Sequence, residues 1–149
     1  MPPPPSKFSS ASPIYSAGDT FRIKGTYTEK LHLYIVLCDQ TGDPPDFIAV
    51  PLNTVTTQTD KTVLLQPIDH PFITHETSVS YDFLHLFKTE QLAQLEQMNA
   101  SSSEVTYQRR EPMRAEVLAR VIGGALASDM APKGMVRELR RRLSLVSAS

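Results

Sequence analysis

Between Thr20 and Lys24 apolar and polar side chains alternate, with Phe21 and Ile23 on one side and Thr20, Arg22 and Lys24 on the other. That two-residue period marks a strand with one buried face. The stretch Leu31–Cys38, "LHLYIVLC", is apolar on both sides of the same period: Leu31, Leu33, Ile35 and Leu37 on one, His32, Tyr34, Val36 and Cys38 on the other. It predicts a strand covered on both faces. "DQTGDPPD" is a turn cluster, and "FIAVPLN" beyond it predicts an antiparallel partner. Pro51 cannot donate to a ladder, which places it at an edge, a bulge or a strand end. "TVLLQ" at 62–66 and "SVSYDFLHLF" at 78–87 add further extended segments. Short strands separated by turns, with no helix between them, predict a small barrel or a strongly bent antiparallel sheet.

The period changes at residue 89. "KTEQLAQLEQM" sets Leu92 and Leu95 at helical spacing behind Thr89, a residue type that caps helices. "NASSSEV" reads as a break. "EPMRAEVLARVIGGALAS" then opens with Pro112 near a first helical position and carries apolar residues at 113, 117, 118, 121, 122 and 125. Gly123 and Gly124 imply either close packing or the end of that helix. "PKGMVRELRRRL" resumes as an amphipathic helix with Val136, Leu139 and Leu143 on one stripe. The expected fold is therefore mainly β with C-terminal helices. A small β-barrel spans 17–88, two or three α-helices in 89–149 extend the same domain, and a Pro/Ser-rich disordered arm occupies 1–16. β-Structure is expected only before residue 90.

Composition narrows the class. The 149 residues are 40% apolar and 21% charged, an ordinary globular balance. No apolar run approaches the roughly 20 residues that span a bilayer, so a cytoplasmic protein without membrane contact is expected. The single cysteine, Cys38, excludes an internal disulfide and reads as a buried thiol. Charge is unevenly placed: residues 1–88 carry six Lys/Arg against nine Asp/Glu, and residues 89–149 nine against seven. Much of the basic excess is Lys133, Arg137, Arg140, Arg141 and Arg142, a cluster suited to a phosphate backbone or an acidic partner, or else the solvated face of a terminal helix.

The order "GDTFRI", "HLYIVLCD", "VPLNTVTTQTDKTVLLQ" and "DHPFITHETSVSYD" resembles the PemK/MazF-like toxin superfamily, in particular a divergent branch with a His-Pro-Phe-Ile segment and a "GALAS" helical tail. The resemblance covers about residues 17 to 140. It implies an SH3-like barrel with helices packed on one side and a homodimer. It also implies a metal-independent endoribonuclease on single-stranded RNA, held in check by an antitoxin protein. By residue, it assigns a phosphate-facing cation to Arg22 or Lys24 and a hydroxyl near the third strand to Thr54, Thr56 or Thr57. "GTYTEK" at 25–30 stands where that family has a loop with Arg-Gly and a proline, and the His-Pro-Phe-Ile segment matches no part of the family's active site.

The chemistry itself needs a base for the 2′-hydroxyl, an acid for the leaving 5′-oxygen and a cation at the phosphate. Histidine fills either proton-transfer role near neutrality, which makes His70 and His75 the acid–base candidates beside Arg22 or Lys24. The plainer reading of "DHPFI" is a turn: Asp69 caps the backbone, His70 is held extended by Pro71, and Phe72 and Ile73 anchor the loop to the core. His32 and His85 sit in strand-like runs, where a half-buried histidine is the default. Asp69, His70, His75 and Glu76 have ligand chemistry but no common face, so no metal is expected, and no glycine-rich, G-x-S-x-G or Cys–His pattern points to a cofactor. Tyr27, Tyr34 and Tyr81 are the candidates to line a small groove. The rival to the ribonuclease reading is a non-catalytic interaction module binding a protein or nucleic acid.

Overall fold

The computed structural model describes residues 14–24, 31–100 and 106–148. Residues 1–13 of the expected arm, the 25–30 segment with Tyr27, and 101–105 of the expected break lie outside the described residues. Seven strands form one open antiparallel sheet: β1 (Thr20–Lys24), β2 (Leu31–Val36), β3 (Asp46–Thr54), β4 (Leu64–Leu65), β5 (Thr77–Val79), β6 (His85–Lys88) and β7 (Tyr107–Arg110). Three α-helices accompany them: α1 (Thr89–Ala100), α2 (Ala115–Ala127) and α3 (Lys133–Ala148). The strands run in the order β4-β5-β3-β2-β1-β7, and β6 also pairs with β3.

β3 organises the sheet. One edge of it pairs with β2, through Val50 opposite Ile35. Its other edge is shared, with Asp46–Ala49 against β6 and Leu52–Thr54 against β5. Pro51 lies inside this strand, at the junction of those two partners, rather than at an edge, bulge or end. Its carbonyl accepts the Ser80 N–H at 2.9 Å. A residue's nitrogen and carbonyl point to the same strand edge, so the missing donor falls where β6 gives way to β5.

The register sorts side chains onto two faces, and both are covered as the double-sided pattern of β2 predicts. On the first, Leu33, Ile35, Ile48, Val50, Leu52 and Val79 pack with Val117, Val121 and Ala125 of α2 and Leu139 of α3. On the second, Phe21, Val36, Phe47 and Ala49 pack with Tyr15, Tyr107 and Leu92 of α1. Helices thus lie on both sides of the sheet, not on one. The second face is aromatic: the Phe21 ring centroid is 5.4–6.1 Å from those of Tyr15, Tyr34, Phe47, Phe87 and Tyr107. Tyr34 is committed to this stack, and Tyr81 is fully buried on the other face with its hydroxyl donating to the Val121 carbonyl at 2.7 Å. Neither is left to line a groove.

Four further expectations need correction. β7 follows α1, so strand structure is not confined to the first ninety residues; it pairs with β1 from Thr20 opposite Arg110 to Ile23 opposite Tyr107. Thr89 does not cap α1 through its side chain: its hydroxyl donates to Gln40 Oε1 at 3.2 Å, and β6 runs straight into the helix. Pro112 stands outside α2, because Met113 N–H is drawn to the Gly18 carbonyl at 2.7 Å and the helix begins only at Ala115. Tyr15, assigned above to the arm, is 1% exposed.

Candidate functional site

A cleft of about 170 Å³ opens at one end of the sheet, where the start of β2, the end of β3 and the start of β5 meet the Phe72–His75 segment. Its polar lining comes from His32, Asn53, Thr54, His75 and Thr77. Thr54 stands directly opposite Thr77 in the β3–β5 ladder, which fixes the hydroxyls at the cleft by strand register. His75 is exposed, and its Nδ1 lies 3.1 Å from the Thr74 hydroxyl.

Phe72 forms one wall and carries two cations. The guanidinium carbon of Arg22 lies 4.2 Å from its ring centroid and that of Arg110 4.6 Å. The strands explain the convergence: Thr20 opposes Arg110 and Arg22 opposes Gln108, so both arginines point to the same face from neighbouring strands. Arg22 Nη1 donates to the neutral Gln108 Oε1 at 3.1 Å, while the Nε groups of Arg22 and Arg110 are buried without a hydrogen-bond partner. Arg110 is ion-paired at 3.4 Å with the solvent-exposed carboxylate of Glu111, a pairing that water screens. Burial, and then the charge of Arg110, pull the Arg22 pKa down. Stacking on an aromatic face recovers about 0.5–2 kcal/mol per cation, but it neutralises no charge. Two guanidiniums held together beside a cleft therefore attract an anion.

The opening histidine pair is split by the fold. His70 is 2% exposed, with extended backbone before Pro71 as the turn reading predicts. Its Nδ1 accepts the Phe72 N–H at 3.0 Å, and its Nε2 bonds the Glu111 carbonyl at 2.5 Å, an oxygen that also accepts from the Thr20 hydroxyl at 2.6 Å. Those contacts assign the neutral ring with its proton on Nε2. Both nitrogens are occupied, Nδ1 within the loop and Nε2 in tying the loop to the β7–α2 connection. Asp69 accepts the Gln66 N–H at 2.8 Å and is paired with Arg120 at 3.0 Å, and Ile73 reaches the first core. The loop is anchored as expected, and His75 alone of the pair reaches the cleft.

Of the other candidates, Lys24 sits at the end of β1 opposite Leu31, a cleft residue. Thr56 lies in the next turn, bonded within it to Thr59. Arg110 escaped the sequence reading because "YQRR" is too short to show a period, and its own signal, alternation of Tyr107 and Arg109 with Gln108 and Arg110, was masked by the polar run before it. His32 escaped because a strand-end histidine is indistinguishable in sequence from a buried one.

The basic cluster of α3 divides in two. Glu138 is bonded by Arg141 (2.6 Å) and by Arg142 (2.7 Å), and Arg142 also reaches Asp46 of β3 at 2.6 Å. Those bonds hold the Glu138 carboxyl down at about 2. Arg142, 8% exposed, fastens the helix to the sheet and is not a surface cation. Lys133, Arg137 and Arg140 are exposed.

Among the described residues, no three His, Cys, Asp or Glu side chains are grouped so as to hold a metal ion, and no helix is long and apolar enough to cross a membrane. No protein-family model and no characterised protein matches the sequence.

Proposed function

We propose that the protein is a PemK/MazF-like toxin of a toxin–antitoxin system, an endoribonuclease acting on single-stranded RNA at the His32–His75 cleft without a metal ion. The observation that carries the reading is the pair of guanidiniums, Arg22 and Arg110, stacked on the wall of a cleft lined by two histidines and two threonines. The finer fold in this reading is an SH3-like barrel, supported by β3, whose shared edge lets one strand serve two parts of a bent sheet. In the cleft, Arg22 and Arg110 hold the scissile phosphate and offset its developing charge, and Thr54 donates a hydroxyl hydrogen bond. His75 and His32 act as the proton-transfer pair, with His70 reassigned to positioning the loop. A cytoplasmic homodimer restrained by an antitoxin belongs to the same reading.

The test is cleavage of a labelled single-stranded RNA by purified protein in the presence of a chelator. His75→Ala and His32→Ala should each slow cleavage by roughly 10²–10⁴-fold, the worth of a positioned acid or base. Arg22→Ala should weaken RNA binding as well as rate. Cleavage that survives both histidine changes, or that stops when metal is removed, would sink the mechanism. The rival reading, a non-catalytic toxin-fold module, is favoured by one observation: His70, the better-buried histidine, has no free nitrogen for catalysis. RNA bound through Arg22 and Arg110 but never cut would establish that rival.

A further inference from the structure

The exposed face of α3 presents a second, separate surface. Lys133, Arg137 and Arg140 follow one another at four- and three-residue steps, which on an α-helix is a single stripe about 10 Å long. The ion pairs of this helix go elsewhere: Glu138 and Asp46 are taken by Arg141 and Arg142. No carboxylate among the described residues pairs with any of the three stripe cations. Like charges at this spacing repel one another on a free helix. The stripe borders a depression of about 330 Å³ with Ala131 and Val136 among its lining and one acid, Asp129. Ala131 is 7% exposed and Val136 packs against the first core, so part of the depression is aliphatic and fixed. Three cations against one acid leave a net attraction for carboxylates.

We propose that this face docks an acidic amphipathic segment of a partner protein, its carboxylates on Lys133, Arg137 and Arg140 and an aliphatic side chain in the depression over Val136. A helical segment fits best, because carboxylates repeated at four- and three-residue steps reproduce the spacing of the stripe. Single-stranded nucleic acid fits less well: no aromatic side chain lines the depression, and unpaired bases bind chiefly by stacking on such rings. The surface is distinct from the cleft, which is lined by β2, β3, β5 and the Phe72–His75 segment.

The experiment measures anisotropy of a fluorescein-labelled synthetic helix bearing Glu at positions i, i+4 and i+7 with Leu between, against its Glu→Gln counterpart and against labelled oligouridylate. Full-length wild type should prefer the Glu helix by about fivefold or more, the combined worth of three exposed ion pairs, and the preference should shrink as salt is raised. The triple variant Lys133→Gln/Arg137→Gln/Arg140→Gln should lose the preference while melting like wild type and binding oligouridylate unchanged. Arg141→Gln, which lies off the stripe, should keep it. Equal binding of the two helices by wild type, or a preference kept by the triple variant, would overturn the proposal. Loss of oligouridylate binding in the triple variant would overturn it in favour of a nucleic-acid surface.

Discussion

His70 shows how much one residue's environment decides. Its neighbours in sequence predict its backbone well, because proline restricts the residue before it and Phe72 and Ile73 are obvious anchors. Nothing local predicts that the ring is buried against Glu111, forty-one positions away, since that contact depends on β7 lying beside β1. His75, by contrast, was legible as a proton-transfer candidate but not as a neighbour of Thr54 and His32. The two glycines of α2 make a sharper case. A side chain on Gly124 would collide with the hydroxyl of Tyr81 and stand 2.5 Å from Val63 Cγ2, whereas one on Gly123 would meet nothing within 4 Å. Tyr81 cannot yield, because it is fully buried and bonded to Val121. Gly124→Ala should therefore destabilise by about 1–3 kcal/mol through overpacking, outweighing its helix-propensity gain. Gly123→Ala should stabilise by up to about 1 kcal/mol. Thermal melts of the two variants test both signs. Equal effects would mean that close packing at Gly124 is not what α2 requires.

Elements with a long period were readable from the pattern, and short ones were not. β2, α2 and α3 repeat their apolar positions often enough to fix both type and buried side. β7 has four residues, and its pairing with β1 is set by tertiary context that no local window contains. The same context divides the basic residues of α3 between an attachment to the sheet and a solvent-exposed stripe. Its attachment to β3 runs through Glu138, Arg142 and Asp46, and this gives a pH dependence with a definite sign. Glu138 titrates at about 2 in the folded protein against 4.5 for a free glutamate, through hydrogen bonds first from Arg141 and then from Arg142. A depressed carboxyl pKa means that the unfolded chain binds the proton more readily. The contribution is present above about 4.5 and is lost as pH falls toward about 2. Glu138 is 32% exposed, so solvent screens part of it. The stability difference between wild type and Glu138→Gln, measured by urea midpoints, should be largest near neutrality and shrink through that window. A difference that stays flat would show that the arginines hold the helix without this carboxylate.

At the scale of the whole molecule, one sheet supplies a wall to two separate cores. β2 and β3 send alternate side chains into each, so neither core keeps its shape if those strands part. The aromatic core is the more exposed to single losses, since α1 covers it with Leu92 and the partly buried Leu95 while Tyr15 and Tyr107 close it from two distant points in the chain. The two tyrosine hydroxyls are bonded to each other, the Tyr15 ring stacks on Phe47 at 4.6 Å, and the Arg109 guanidinium lies over it at 4.3 Å. Its backbone exchanges bonds with Gln40, which accepts the Tyr15 N–H at 3.0 Å and donates to the Tyr15 carbonyl at 2.9 Å. Tyr15→Ala removes a fully buried ring together with its hydroxyl bond to Tyr107. The cost should be about 3–5 kcal/mol, a fall in Tm of roughly 10 °C or more. Because the cores share strands, the loss should not stay local. The near-ultraviolet tyrosine signal, to which Tyr34 and Tyr107 of the aromatic core contribute, and the far-ultraviolet signal, to which α2 and α3 contribute from the other face, should both shift and remain superimposed in one transition. A tyrosine signal that melts early while the helical signal holds its wild-type midpoint would show that the sheet does not couple its two faces.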